Sequence, residues 1–262
     1  MNNLKLKITT VESDLQWEDV EANMKVVREQ LLLLKKDADV VVFPEMYLSG
    51  FTMNPGNCFV LMDGKEVNNL KEWSQEFDVA IAGSVVVKET DCFYNRFLWI
   101  NPTGEVYSYD KKHLFTFAQE DECYKAGSKQ LIVPFKGWNI ACFICYDLRF
   151  PVWCRNDKAR YDVAIFVANW PAVRIATWDS LLKARSIENQ AYVIGVNRAG
   201  DDGNKVKYSG NSAVYDSFGK KLNTAASTLV NNTSYFELNR NELLDHRKSF
   251  PVLKDADLFK RE

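Results

Sequence analysis

The sequence has no excess of positive charge and no long hydrophobic run. Its 33 Lys and Arg residues are outnumbered by 35 Asp and Glu residues, which gives a net charge of −2, and its basic residues cluster only in pairs. Proteins that neutralise many phosphates usually carry a basic excess, so nucleic acid is not an expected partner. No segment reaches the ~18 consecutive apolar residues of a membrane-spanning helix. Residues 1–7 also lack the apolar centre of a signal peptide, so we expect a cytoplasmic protein without membrane contact.

The sequence also lacks internal repeats, low-complexity tracts and Pro/Gly/Ser-rich linkers. Its 12 Gly and 7 Pro residues occur singly at positions typical of turns. We therefore expect a single domain over residues 1–262. The six cysteines form an even set, but a chain of this length without a secretion signal favours free thiols.

Hydrophobic periodicity indicates an α/β fold. Apolar residues spaced three or four apart predict a helix over about residues 18–36, between strands at 4–10 and 40–43. The turn at 101–104 predicts an antiparallel hairpin. This pattern favours one large mixed sheet, or two of them, faced by helices, and our expectation is a four-layer α-β-β-α sandwich of two mixed sheets. The other predicted helices are 65–77 and 176–189, and the other strands are 79–87, 93–100, 105–109, 131–135, 140–144, 163–167, 192–197 and a late pair at 213–215 and 235–238.

Three apolar strands are each followed by a residue that can carry chemistry. Residues 41–45 (VVFPE), 107–111 (YSYDK) and 141–145 (ACFIC) end in Glu45, Lys111 and Cys145. Active sites of α/β folds lie at strand ends. Together these side chains would let Glu45 take the thiol proton, Cys145 attack a carbonyl, and Lys111 stabilise both the thiolate and the oxyanion. Each residue alone is more often a solvated turn, a surface lysine or a core cysteine.

Three longer segments, in their order and spacing, resemble the nitrilase superfamily of carbon-nitrogen hydrolases. They are residues 44–51 (PEMYLSGF), 109–115 (YDKKHLF) and 145–151 (CYDLRFP). The resemblance extends through residues 168–171 (ANWP) and 185–192 (RSIENQAY), and the chain is most similar to the omega-amidase branch.

The resemblance implies a role for each candidate site residue. Glu45 would be the general base, Lys111 would stabilise the oxyanion and Cys145 would be the nucleophile. A second glutamate of the family corresponds to Glu120, with Asp121 and Glu122 as close alternatives. The backbone N–H of Tyr146 would be the other oxyanion donor.

The omega-amidase resemblance also implies a substrate. Such relatives remove ammonia from the distal amide of 2-oxo dicarboxylic acid monoamides, chiefly 2-oxoglutaramate and 2-oxosuccinamate. Arg174 is the candidate cation for the substrate carboxylate, because a guanidinium offers a bidentate fork. Trp170 and Tyr47 would form walls of the acyl pocket. The chemistry implies no metal and no organic cofactor, and relatives predict a homodimer in which residues 239–259 reach across.

Other functions remain open from the sequence alone. The pair Cys142-x-x-Cys145 has the spacing of a redox motif or of half a zinc site. Residues three apart in a strand point to opposite faces, which places Cys142 in the core. A Cys-His-Asp hydrolase would have to use His113 or His246, the only histidines. The chain could also hydrolyse another small carboxamide or a nitrile, or be a non-catalytic binding protein on this fold.

Four further interpretations concern supporting residues. Asp147 and Arg149 are expected to form a buried ion pair beside the nucleophile. A second pair, Arg185 and Glu188, would brace the same region. His113 is expected to be packed and hydrogen-bonded, whereas His246 in the charged C-terminal helix is expected to be solvated.

Overall fold

The computed structural model describes residues 4–33, 38–223 and 232–257. Within them the six α-helices are α1 Val20–Leu33, α2 Lys65–Phe77, α3 Glu120–Cys123, α4 Pro151–Cys154, α5 Ile175–Glu188 and α6 Arg240–Ser249. The strands are β1 Lys5–Val11, β2 Val40–Val42, β3 Ala80–Glu89, β4 Cys92–Ile100, β5 Val106–Asp110, β6 Leu131–Phe135, β7 Trp138–Ile144, β8 Val163–Ala168, β9 Tyr192–Asn197, β10 Ala199–Asp201, β11 Lys207–Ser209, β12 Ala213–Tyr215 and β13 Thr233–Asn239.

Two mixed sheets form the centre of the fold. The first has the strand order β13-β1-β2-β3-β4-β5, and its β1–β2 and β2–β3 pairs are parallel. The second has the order β12-β9-β8-β7-β6, with parallel β7–β8 and β8–β9 pairs. A separate two-stranded hairpin joins β10 to β11. The carboxyl ends of β2 and β7 therefore each lie at the end of a parallel pair, where α/β folds place their sites.

Side chains alternate between the two faces of each strand and so pack into two separate hydrophobic clusters. On β2, Val40 and Val42 pack in one hydrophobic cluster with the second sheet, whereas Val41 packs with α1 and α2. Successive strand residues point to opposite faces, so one face of the first sheet meets the second sheet and the other meets the helices. In the second sheet, Gly195 lets helix α5 pack closely against the strand, since a Cβ at this position would lie 2.4 Å from Leu182 Cδ1. The helix-sheet-sheet-helix order matches the predicted sandwich.

Most predicted elements, including the two late strands, occur near their predicted positions. The predicted strands at 213–215 and 235–238 do not pair with each other, because β12 pairs with β9 in the second sheet and β13 pairs with β1 in the first. Helix α1 begins at Val20, later than predicted, since Glu18 has a left-handed φ of 54°. Residues 34–36 of the predicted helix lie outside the described residues.

Within the described ranges, no helix combines the length and the hydropathy that a membrane crossing requires. All six cysteines are free, as the sequence predicts for a reducing environment.

Candidate active site

Three strand ends bring Glu45, Lys111 and Cys145 together, with Glu45 and Lys111 buried and Cys145 partly exposed. Pro44 follows β2 and cannot donate to a ladder, so the chain leaves the sheet and Glu45 turns inward with none of its surface exposed. Lys111 follows β5 directly and is 1% exposed. Cys145 follows β7 with a φ of 43°, a left-handed backbone that a non-glycine residue adopts only where its surroundings impose it.

The ammonium of Lys111 contacts two carboxylates. Its Nζ atom lies 2.8 Å from Oε1 of Glu45, 2.8 Å from Oε2 of Glu120 and 3.0 Å from Oε1 of Glu120. Burial lowers the pKa of Lys111, but the two carboxylates outweigh it and raise the pKa above its ordinary value. Lys111 is therefore a permanent cation in the site.

Glu120 is the second carboxylate of the site. It begins helix α3 and is fully buried, whereas Asp121 and Glu122 on the same short helix are exposed. The backbone N–H of Phe115 donates to Oε2 of Glu120 at 2.6 Å. Burial raises the pKa of Glu120, and the nearby Glu45 carboxylate raises it too, against the opposing effect of Lys111. The structure therefore favours Glu120 over Asp121 and Glu122, the two alternatives that the sequence left open.

Two asparagines that the sequence reasoning missed hold Glu45. Asn95 Nδ2 donates to Oε1 of Glu45 at 2.8 Å, and the backbone N–H of Asn169 donates to Oε2 at 2.8 Å. The side chain of Asn169 also donates to the backbone carbonyl of Glu45 at 2.7 Å. The only sequence signal for Asn95 was a polar residue inside a largely apolar strand, where Arg96 follows it.

The Cys145 thiol is neutral in this environment. Burial raises its pKa well above the ordinary value, the Glu45 carboxylate raises it further, and Lys111 lowers it only in part. Lys111 does favour the thiolate, as the sequence interpretation requires, but it does not outweigh burial and the Glu45 carboxylate. A neutral thiol beside a carboxylate needs that carboxylate as a base at the moment of attack.

Asp147 organises the turn after the nucleophile, but it does so without Arg149. Its carboxylate accepts hydrogen bonds from the backbone N–H of Ile144 at 3.0 Å and from the Tyr109 hydroxyl at 2.7 Å. His113 Nδ1 lies 2.8 Å from the same carboxylate. The expected Asp147–Arg149 ion pair is wrong, because these partners occupy Asp147 and the Arg149 guanidinium lies over the Trp170 ring at 4.8 Å.

The other supporting residues divide into confirmed and corrected expectations. Arg185 is bound to Glu188 at 2.8 Å and donates to the Leu148 carbonyl at 2.7 Å, so it braces the turn as predicted. His113 is packed as predicted, with its ring stacked on Phe150 at 3.8 Å. His246 is not solvated as expected. It is buried, with Nδ1 2.7 Å from Ser217 Oγ and the Phe218 ring stacked at 3.6 Å.

A pocket of about 420 Å³ opens onto the Glu45, Lys111 and Cys145 side chains. Tyr146, Trp170 and Arg174 line it, in the positions that the sequence suggested for substrate contacts. The Trp170 indole N–H donates to the Arg174 carbonyl at 2.9 Å, which fixes the backbone that carries the guanidinium. Further lining residues include Phe51, Phe115, Arg149, Asn169, Asp202 and Tyr208.

Tyr47 does not line the pocket, so its expected place in the acyl wall needs correction. Its ring is buried and stacks on Phe43 at 5.1 Å, in the hydrophobic cluster between the first sheet and helices α1 and α2. The backbone of Met46 has a φ of 47°, and this turn after Glu45 carries the next side chain to the helix-covered side. Tyr47 is therefore a core residue.

Comparison with known proteins fits this geometry. The carbon-nitrogen hydrolase family model matches residues 7–248. The chain belongs to this family. It is 44% identical to omega-amidase YafV of Escherichia coli K12 over 97% of this chain and 98% of the relative. It is 30% identical to 2-oxoglutaramate amidase of Bacillus subtilis, over 96% and 98% of the two chains.

A solved structure shows the same fold with the same family membership. It is a carbon-nitrogen hydrolase superfamily protein of Xanthomonas campestris with an arsenic adduct in its active site. It superposes with a TM-score of 0.93 at 37% identity and covers 98% of both chains. The nitrilase-superfamily assignment and the α/β sandwich predicted from the sequence are both confirmed.

Proposed function

We propose that the protein is an amidase that cleaves the distal amide of a small 2-oxo dicarboxylic acid monoamide, giving the dicarboxylic acid and ammonia. The observation that carries this proposal is the buried Glu45–Lys111–Glu120 group beside the Cys145 thiol, in a pocket that Arg174 also lines. The similarity to relatives named omega-amidase and 2-oxoglutaramate amidase supports the substrate class.

In the first half-reaction Cys145 attacks the amide carbonyl. Because the thiol pKa is raised, Glu45 takes the thiol proton as the carbon-sulfur bond forms. The oxyanion of the tetrahedral intermediate is stabilised by the Lys111 ammonium and by the backbone N–H of Tyr146. Tyr146 is the second residue of a 3-10 helix that begins at Cys145, so its N–H lies in the first turn, where backbone N–H groups have no acceptor within the helix.

Collapse of the intermediate releases ammonia. Glu45 returns the proton to the amide nitrogen, the carbon-nitrogen bond breaks, and the acyl group remains on Cys145 as a thioester. In the second half-reaction Glu45 takes a proton from water, which attacks the thioester carbonyl. The acid then leaves and the sulfur recovers its proton from Glu45, so every proton is accounted for.

Glu120 supports this cycle through Lys111. With both carboxylates on the ammonium, the Lys111 pKa is raised and the cation cannot serve as an acid. It acts instead as a fixed positive charge, and fixed charges in a buried site stabilise a developing oxyanion without reorganisation.

Arg174 is the proposed partner of the substrate carboxylate. Its guanidinium lies over the Phe115 ring at 5.6 Å, and Arg174 and Cys145 both line the pocket. Stacking on an aromatic face leaves the guanidinium edge available for a bidentate carboxylate contact. A monoamide whose carboxylate binds Arg174 while its amide meets Cys145 is therefore the proposed ligand of this pocket.

A substrate panel tests the proposal. We expect ammonia release from 2-oxoglutaramate and 2-oxosuccinamate to exceed release from glutamine and from a nitrile of the same acyl group. A nitrile turned over faster than the matching amide would overturn the amidase assignment. Failure of both 2-oxo amides, with rapid turnover of another carboxamide, would overturn the substrate.

We further propose a homodimer built on the face of α5 and α6. Ile187, Phe218 and Phe250 are exposed there. A Cβ on Gly219 would meet Ile187, and Gln190 donates to the Phe250 carbonyl at 2.7 Å, so these apolar groups lie on neighbouring segments. Residues 258–259 of the predicted contact lie outside the described residues. Size-exclusion chromatography with light scattering tests this proposal, and a monomer at micromolar concentration would contradict it.

We also propose that the reaction takes place in the cytoplasm. The free state of all six cysteines supports a reducing compartment. Fractionation of cells that express the tagged protein would test it, with a membrane or secreted fraction as the contrary result.

A further inference from the structure

Asn95 occupies a distinctive position beside the catalytic group. It lies on β4, and its backbone carbonyl accepts the N–H of Lys111 at 3.0 Å, so the two residues lie side by side at the end of the first sheet. The Asn95 side chain is fully buried. It does not line the pocket, so it does not touch a substrate there.

The Asn95 side chain joins two carboxylates of like charge. Its single Nδ2 atom lies 2.8 Å from Oε1 of Glu45 and 3.1 Å from Oε1 of Glu120. An amide nitrogen carries two hydrogens, so one side chain can donate to both acceptors at once. Two carboxylates held this close in a buried site repel each other unless donors stand between them.

This contact distinguishes the two oxygens of Glu45. Oε1 accepts hydrogen bonds from Asn95 and from Lys111, both at 2.8 Å. Oε2 accepts one short bond, from the Asn169 backbone N–H at 2.8 Å, with the Asn169 side chain farther away at 3.4 Å. A carboxylate oxygen has two lone pairs, so Oε2 keeps the capacity to take another proton.

We infer that Asn95 is a positioning residue that shares its amide between the two carboxylates and so directs the Cys145 proton to Oε2 of Glu45. This inference rests on the proposed amidase chemistry. Asn95 keeps Oε1 of Glu45 occupied and holds Glu120 against Lys111. It acts only through these side chains and takes no proton itself.

The cost of placing an amide here argues for a role beyond packing. Among the described residues, Asn95 Oδ1 is buried and has no hydrogen-bond partner. An unsatisfied buried acceptor destabilises a fold, whereas an apolar residue of similar size does not carry that penalty. The Asn95 amide therefore supplies its N–H donor here even though its unpaired oxygen destabilises the fold.

The test compares Asn95→Leu, which keeps the volume and removes the donor, with Asn101→Leu. Asn101 is also a buried asparagine, and it follows the same strand at the far end from the site. Two readouts are taken against pH: ammonia release from 2-oxoglutaramate and alkylation of Cys145 by iodoacetamide. Thermal unfolding of each variant controls for loss of structure.

We expect Asn95→Leu to lower kcat and the alkylation rate by about 10- to 100-fold near neutral pH, with KM changed less than about threefold. Loss of the donor leaves the negative charge of the two carboxylates less stabilised. The acid limb of both pH profiles should therefore move to higher pH by about one unit. Asn101→Leu should leave both limbs in place, whatever its effect on unfolding temperature.

The inference is overturned if the acid limbs of the two pH profiles do not move in Asn95→Leu. It is also overturned if the loss of rate is explained by a loss of folded protein. Should Asn95→Leu fail to fold, Asn95→Asp keeps the shape, replaces the donor with a carboxylate and is expected to move the limbs in the same direction. Alkylation needs no substrate. A shifted alkylation profile in an enzyme that ignores 2-oxo amides would preserve this role for Asn95 while defeating the proposed substrate.

Discussion

Lys111 Nζ lies 2.8 Å from Oε2 of Glu120, and neither side chain is exposed. The loop between these two residues returns to the same oxygen, because the Phe115 backbone N–H also donates to it at 2.6 Å. A buried ion pair of this kind is costly to break, since removal of one partner leaves an uncompensated charge in the interior. The Lys111–Glu120 pair therefore links the stability of the fold to the electrostatics of the site.

Removal of the Lys111 charge should affect stability and activity together. Lys111→Met leaves Glu45 and Glu120 facing each other without a cation. We expect a loss of about 3–5 kcal/mol in the free energy of unfolding by urea, and no measurable ammonia release. Lys112→Met is the matched control, because Lys112 lies over the Trp153 ring outside the carboxylate pair. Equal effects of the two substitutions would contradict the assignment.

Glu120 should matter while its neighbour on the same helix does not. Glu120→Ala removes one of the two carboxylates that hold Lys111, so the ammonium loses its fixed position and kcat should fall by about 100-fold or more. Glu122→Ala, at an exposed position of the same short helix, should keep wild-type kcat. Steady-state kinetics of both variants check the prediction, and a larger loss for Glu122→Ala would refute it.

Arg174 should control affinity for the anionic end of the substrate. A guanidinium-carboxylate contact contributes about 1.5–3 kcal/mol, so Arg174→Gln should raise KM for 2-oxoglutaramate by about 10- to 100-fold. Turnover of a neutral amide without a carboxylate should change little in the same variant. If both substrates were affected equally, Arg174 would have a structural role instead.

His246 should make stability sensitive to pH. Burial lowers its pKa from the ordinary 6.5, and Arg247 adds to this effect while Asp216 opposes it. A histidine with a lowered folded-state pKa takes up its proton more readily when unfolded, so it stabilises the fold above pH 6.5 and destabilises it as pH falls through the folded pKa. Between pH 7 and 5, His246→Gln should therefore lose less of its melting temperature than the wild type. Parallel melting curves at every pH would contradict this.

The sequence predicted the central group of the site because its residues follow recognisable strands. Glu45, Lys111 and Cys145 each come at or just after the end of a predicted strand, and strand ends meet at one edge of an α/β layer. Motif order and spacing then distinguished these residues from ordinary turn, surface and core positions. Periodicity alone could not assign β12 and β13 to different sheets, because pairing partners are chosen by tertiary contacts.

The rest of the pocket had no clear sequence signal. Strands β10 and β11 have three residues each, which is too short for a recognisable hydrophobic alternation, yet their hairpin region brings Asp202 and Tyr208 into the lining. Arg149 was interpreted as a partner of Asp147, because the two are close in sequence. Its true neighbour, Trp170, is 21 positions away and meets it only in the folded chain.

The most direct test of the account compares ammonia release from 2-oxoglutaramate by wild type, Cys145→Ala and Cys142→Ala. Cys142 is fully buried in the core three residues before the proposed nucleophile, which makes it a matched thiol without a place in the pocket. We predict rapid release by wild type, release by folded Cys142→Ala, and none by Cys145→Ala with an unchanged circular dichroism spectrum. Ammonia release by Cys145→Ala at the wild-type rate would contradict the nucleophile and the mechanism built on it.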